Sequence, residues 1–179
     1  MGLVVWASSV ADELMPPLGR RWSHVRAAAD LASQIRLPGG ADDEEVLVAA
    51  TLVHDVGYSA DLAMTGFHPL DGARYLRSQG QERLALLVAH HSNARVEAQM
   101  RDLTDYELEF PFGDSLLDHA LTVCDMSTSP EGCRVDIEAR VAEIVDRYGA
   151  EHVTARAVAA GLPEFQLWRA EIEPLMRAG

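Results

Sequence analysis

Apolar residues recur at helical spacing along most of the chain, in stretches rich in Ala, Leu, Arg and Glu that are separated by short Gly- and Pro-containing breaks. No alternating apolar–polar segment is long enough to indicate a strand. The pattern therefore predicts an all-α fold. The predicted helices lie near residues 8–15, 20–36, 42–55, 69–80, 81–91, 115–126, 135–148, 150–160 and 163–177.

The stretch 46–53 is almost entirely apolar and predicts a helix that is buried on most of its surface. This helix ends at His54 and Asp55, and Gly57 is expected to allow the turn that follows. Two ionisable side chains at the end of a buried helix are costly unless something pairs with them. A divalent metal can take both an imidazole nitrogen and a carboxylate oxygen, so it is the predicted partner.

Composition and charge narrow the possible functions. The chain has 179 residues, which suits one domain, and its net charge of -13 makes it a poor general binder of nucleic-acid polymers. No apolar run is long enough for a membrane span, the N-terminus lacks the features of a signal peptide, and two cysteines do not make a disulfide framework. We therefore expect a cytoplasmic protein without a membrane partner.

Further histidines and one aspartate stand at or near the ends of successive apolar helices, where side chains of a bundle can converge. The ordered set is His24, His54, Asp55, His68, His90, His91 and Asp125. His119 and His152 do not fit this spacing and are interpreted as ordinary structural residues. A single histidine of this kind carries little weight, but the order of the whole set indicates a metal centre.

The stretches that carry these residues are Trp22-Ser23-His24-Val25, Val53-His54-Asp55-Val56-Gly57, Phe67-His68-Pro69-Leu70-Asp71-Gly72, Ala89-His90-His91 and Val123-Cys124-Asp125. In this order they resemble the HD superfamily of metal-dependent phosphohydrolases. The multi-metal branch is the most similar, including the HD-GYP phosphodiesterases and the HD-type dinucleoside tetraphosphatases. The resemblance implies an HD-domain helical bundle over residues 1–179, with a core at about 20–128 and C-terminal helices at about 135–179.

The resemblance also implies roles for the residues. His24, His54, Asp55 and Asp125 would hold a first metal, and Asp55 would bridge to a second metal held by His68 with His90, His91 or both. His54 and Asp55 would be the catalytic pair. Two divalent ions, drawn from Fe, Mn, Mg, Co and Zn, would activate water to cleave a phosphate ester or anhydride of a small substrate, with a nucleotide as the expected class.

Departures from the family pattern leave the substrate open. Tyr58 stands where some members have a lysine, and Arg20 stands where the HD-GYP branch has an acid, so a third metal is not expected. The Gly-Tyr-Pro signature is also missing after His91, which disfavours hydrolysis of cyclic dinucleotides. Arg21, Arg95 and Tyr58 are the candidate substrate-binding residues, because guanidinium groups suit phosphate oxygens and the tyrosine hydroxyl can donate a hydrogen bond.

Two other functional classes are compatible with the same residues. An HD-type mixed-valent diiron oxygenase uses a similar set of four histidines and two aspartates to cleave carbon–carbon or carbon–phosphorus bonds of a small organic or phosphonate substrate. A non-catalytic binding module could also retain the pocket. The amphipathic stretch 161–179 is expected to pack on the core or to form the face of a homodimer.

Overall fold

The computed structural model describes residues 2–177, and these form helices and connecting turns with no strand. The all-α prediction is confirmed. The helices are α1 (Leu3–Leu14), α2 (Arg20–Ala32), α3 (Ala41–Val53), α4 (His68–Ser78), α5 (Glu82–His90), α6 (Ala94–Met100), α7 (Tyr106–Glu109), α8 (Leu116–Met126), α9 (Ile137–Tyr148) and α10 (Val153–Ile172). Among the described residues, no helix has both the length and the apolar character needed to cross a lipid bilayer.

Helix α3 forms the centre of the bundle and packs against α1, α2, α5 and α8. Three acidic residues occupy its first turn, where the helix dipole favours negative charge. Its apolar side chains, including Val46, Leu47 and Val53, are buried on several sides. This all-round burial fits the prediction made from the apolar run, and it fixes the position at which His54 and Asp55 leave the helix.

Helix α8 begins with a capping box in which Ser115 and Asp118 satisfy each other's backbone N–H groups. The helix is buried along most of its length and packs on α2, α3 and α10. Because its start is fixed by this cap, its last turn carries Asp125 to the same end of the bundle as the end of α3.

Helix α10 corrects one boundary prediction. Two helices were predicted, near 150–160 and 163–177, but a single helix runs from Val153 to Ile172 with Pro163 inside it. A proline removes one backbone hydrogen bond, and here tertiary packing compensates. Val158 before the proline and Phe165 and Trp168 after it are all buried in the same apolar core as α3. The assignment of the chain to one domain stays a prediction.

Candidate metal centre

Five helices bring six of the predicted ligand side chains together. His24 lies in the middle of α2, His54 and Asp55 follow the end of α3, His68 is the first residue of α4, His91 follows α5, and Asp125 lies in the last turn of α8. All six are buried except His68, which is half-buried. Three overlapping groups have candidate ligand atoms within 4.8 Å of one another: His24 with His54 and Asp55, His54 with His91 and Asp125, and Asp55 with His68 and His91.

Asp55 lies between the two sides of this cluster. Its Oδ2 is 3.7 Å from His54 Nε2, whereas its Oδ1 is 3.3 Å from His68 Nε2 and 3.8 Å from His91 Nε2. The nitrogens of His68 and His91 are themselves 3.1 Å apart. Each oxygen of the carboxylate therefore faces a different set of imidazoles.

Backbone carbonyls orient three of the imidazole rings in the same way. The Nδ1 atom of His24 is 3.2 Å from Ser129 O, that of His54 is 2.7 Å from Thr51 O, and that of His91 is 2.6 Å from Val88 O. These contacts place the proton on Nδ1 and direct the lone pair of Nε2 into the cluster. A carbonyl partner behind the ring is the usual support of a metal-binding histidine.

The imidazole nitrogens and carboxylate oxygens that face one another inside the cluster have too few hydrogen-bond donors among them. The Nε2 atoms of His24 and His54 are buried and have no hydrogen-bond partner. His24 Nε2 is 2.9 Å from Asp125 Oδ1, but the two atoms are not aligned for a hydrogen bond. Buried acceptor nitrogens and carboxylates that face each other without donors are costly. This donor set fits divalent metal ions, which accept both kinds of ligand.

The electrostatic environment favours metal-binding protonation states in His54, His68, Asp55 and Asp125. Burial opposes protonation of His24, but contact with Asp125 raises the pKa of that imidazole. Burial lowers the pKa of His54, and it lowers the pKa of His68 to about 3. Burial alone would raise the pKa of Asp55, but the charges of Arg21 and the nearby imidazoles hold it well below its usual range. Asp125 is held low in the same way, chiefly by its contact with His24. Neutral imidazoles and ionised carboxylates are the forms that bind a metal.

Arg21 and Tyr58, both predicted from the sequence as substrate-binding residues, form a stack beside Asp55. Arg21 Nη1 donates a hydrogen bond to Asp55 Oδ2 at 2.7 Å, and its guanidinium lies 3.5 Å from the centre of the Tyr58 ring. The other face of Tyr58 stacks on His68 with a centroid separation of 3.8 Å. Both faces of this ring are therefore covered, and Tyr58 is one of the residues that line the adjoining cavity.

The structure separates the two neighbouring histidines after α5. His91 enters the cluster, but the Nε2 of His90 contacts Phe110 O at 2.6 Å, and its ring packs against Tyr106 and Phe112. Of the alternatives left open by the sequence, His90, His91 or both, the structure brings His91 into the cluster and places His90 outside it. His90 is the last residue of α5 and His91 begins the turn 91–93, so the two side chains leave the backbone in different directions here.

The structure does not bring Arg95, a candidate substrate-binding residue, to the cluster. Its guanidinium donates hydrogen bonds to both carboxylate oxygens of Glu164 on α10, at 2.7 and 2.9 Å. Arg95 does not line the cavity beside the cluster of histidine and aspartate side chains. The proximity of Arg95 to His91 along the chain does not bring the two side chains together, because the turn 91–93 redirects the backbone before α6 begins.

Ser92 is a site residue that sequence analysis missed. Its backbone adopts a left-handed conformation with φ 52°, and its hydroxyl donates a hydrogen bond to Asp125 Oδ2. A non-glycine residue in this region is uncommon and often marks a functional turn. Ser92 follows His91 directly in the chain and is hydrogen-bonded to the last turns of α8, so it helps to hold His91 and Asp125 in one cluster.

A cavity of about 60 Å³ adjoins the cluster and is large enough to hold water. The side of the cavity next to the cluster is formed by Asp55, His68, His91 and Asp125. Helices α9 and α10 form much of the remaining wall, with the side chains of Arg140, Ile144, Arg147, Tyr148, Thr154 and Val158. The C-terminal helices are thus part of the site, and sequence analysis assigned them no such role.

A helical bundle that gathers histidine and aspartate side chains at one end can hold divalent metal ions. The family model for the HD domain matches residues 21–151, which extends past the predicted core into α9. The chain therefore belongs to the HD domain family, within the superfamily of metal-dependent phosphohydrolases. A search of curated proteins and a search of solved structures each found no match.

Proposed function

We propose that the protein is a two-metal phosphohydrolase that cleaves a phosphate ester or anhydride bond of a small phosphorylated molecule. The observation that carries this proposal is the position of Asp55, whose two carboxylate oxygens face two different groups of imidazoles. A carboxylate in this position suits a bridge between two ions. Two adjacent metals suit an in-line phosphoryl displacement, because each can bind one of the reacting oxygens.

The residues divide into two sets of ligands. His24, His54, Asp55 and Asp125 would hold one ion, and Asp55, His68 and His91 would hold the other. Bound divalent metals would supply a lowered pKa for water and would polarise the phosphoryl group. The chain's own contribution is to fix the tautomers of three histidines through backbone carbonyls and to keep the carboxylates ionised.

The lining of the cavity supports an anionic substrate. Arg21, Arg140 and Arg147 all border it, although the chain as a whole has a net charge of -13. Cationic groups gathered at one cleft can attract an anion despite the field of an acidic protein. A nucleotide is the substrate class we propose to test first. The cavity of about 60 Å³ is far smaller than the ~300–1,000 Å³ of a pocket that encloses a whole small molecule, so most of a nucleotide would extend beyond it.

Phosphate release from a panel of nucleotides and small phosphomonoesters tests the proposal, using protein loaded with Mn, Fe, Mg, Co or Zn. We expect release with at least one metal and its loss in Asp55→Ala. His119→Asn is the matched control, because His119 is a histidine of α8 that pairs with Asp114 and Glu171 outside the cluster. Absence of release with every metal and substrate would contradict the proposal.

The same preparations separate the other two functional classes. A diiron oxygenase would give an EPR signal from half-oxidised, anaerobically prepared iron protein and would consume dioxygen with its substrate. A binding module would hold a nucleotide without holding metal. Hydrolysis supported by zinc or manganese alone would argue against both.

A further inference from the structure

One face of α9 is directed at the cavity beside the metal cluster. Arg140, Ile144, Arg147 and Tyr148 line the cavity, and their spacing of four, three and one residues places them on a single side of the helix. Two of these four residues are arginines. The ligands of the proposed metals come from other helices, so α9 brings positive charge to the cavity without contributing to the ligand set.

Glu143 holds both arginines in place. The Nη1 atom of Arg140 donates a hydrogen bond to Glu143 Oε2, and Arg147 Nε lies 3.1 Å from Glu143 Oε1. Glu143 is one-third exposed and does not line the cavity. One carboxylate therefore orients two guanidinium groups from outside the cavity, which leaves their other N–H groups available to it.

The side chain of Arg140 is almost completely buried, although its partner Glu143 is partly exposed. The Arg140 side chain is 8 % exposed, and its Nε is buried without a hydrogen-bond partner. A buried charged donor without a partner is costly, so its retention beside a cavity indicates a ligand that accepts the hydrogen bond. The planar fork of a guanidinium matches two oxygens of a phosphate.

We propose that Arg140 and Arg147 form an anion-binding site on α9 that holds the terminal phosphoryl group of the substrate next to the metal cluster. The inference rests on the proposed function and assigns the substrate class: a molecule that ends in a compact phosphoryl group. Ile144 and Val158 supply apolar contacts in the same wall. The arginines act as substrate-binding residues, and the metal ligands do not depend on them.

Binding of inorganic phosphate to metal-loaded protein, measured by isothermal titration calorimetry, tests this site. We expect Arg147→Met to weaken phosphate binding by about tenfold or more, because a charge-assisted hydrogen bond is lost. Arg140→Lys keeps the charge but loses the fork, so a smaller loss is expected. Arg169→Gln is the matched control, since Arg169 also pairs with a glutamate, Glu138, but lies outside this cavity.

Metal content measured on the same samples separates the two proposals. We expect Arg147→Met to bind as much metal as the wild type. Arg147 is one-quarter exposed, so its substitution should leave the fold intact even if Arg140 variants do not fold. Wild-type phosphate affinity in Arg147→Met would overturn the inference and leave the hydrolase proposal standing. Arginine-dependent phosphate binding without hydrolysis of any ester would overturn the proposed function and leave the anion site standing.

Discussion

Gly57 controls the position of a proposed metal ligand, and its replacement gives a sharp prediction. The residue lies in the short turn Val56–Tyr58, which packs on the start of α4. A Cβ added at Gly57 would lie 2.7 Å from Gly72 N and 2.9 Å from the carbonyl carbon of His68, and closer still to the carbonyl oxygen of His68. All three are backbone atoms, so no side-chain rotation relieves the contact.

The size of the effect follows from these distances. Ordinary van der Waals contact begins at 3.4 Å, so the turn and α4 would have to separate by at least about 0.7 Å at Gly72 N and by more at His68. Overpacking of this kind typically costs about 1–3 kcal/mol of unfolding free energy. Because the shift moves His68 away from Asp55, we expect Gly57→Ala to lose one of the two proposed metals.

Urea denaturation and metal analysis of Gly57→Ala measure the two effects. Gly72→Ala is the matched control, because Gly72 faces the same contact from α4 but its Cβ would lie no closer than 3.3 Å to Gly57 N. We expect the control to retain its metal content and most of its stability. Wild-type stability and metal content in Gly57→Ala would refute the reasoning.

Three further predictions concern the same end of the bundle. His91→Asn should remove one metal, whereas His90→Asn should leave metal content unchanged and cost about 1 kcal/mol for its bond to a carbonyl; equal metal loss in both would contradict the structure. In metal-free protein, the low folded pKa of His68 means that the unfolded chain binds the extra proton. Stability should therefore fall as pH drops from about 6.5 toward 3, by about 1.4 kcal/mol per pH unit, and His68→Gln should remove this contribution in urea titrations. Asp71→Asn should lower the free energy of unfolding by about 1–3 kcal/mol, because Asp71 accepts hydrogen bonds from the N–H groups of Met64 and Thr65. An unchanged melting temperature would contradict this.

The positions of helices α2 to α5 and α8 could be predicted because their apolar patterns and end signals agree. The break before α3 and the Ser115 cap of α8 are local features, so helix ends near the ligands could be located to within a few residues. The prediction divided α10 into two helices because the packing that holds this helix together is tertiary, and a local pattern does not contain it.

The convergence of most candidate ligands could be predicted from residue order, but the choice between His90 and His91 could not. That choice depends on where α5 ends and on the left-handed turn at Ser92. Gly57 was expected to supply conformational freedom, yet its φ is not positive and its small size is what the contact with α4 requires. Arg140 and Arg147 were missed because their approach to the cluster depends on how α9 folds back over the bundle.

The number of divalent ions bound per chain tests the central claim most directly. Elemental analysis of metal-reconstituted wild type and of Asp55→Asn, each compared with His119→Asn, gives this number. The account predicts two ions in the wild type and in the control, and a loss of metal when the bridging carboxylate is replaced. One ion or none in the wild type, or an unchanged pair in Asp55→Asn, would contradict it.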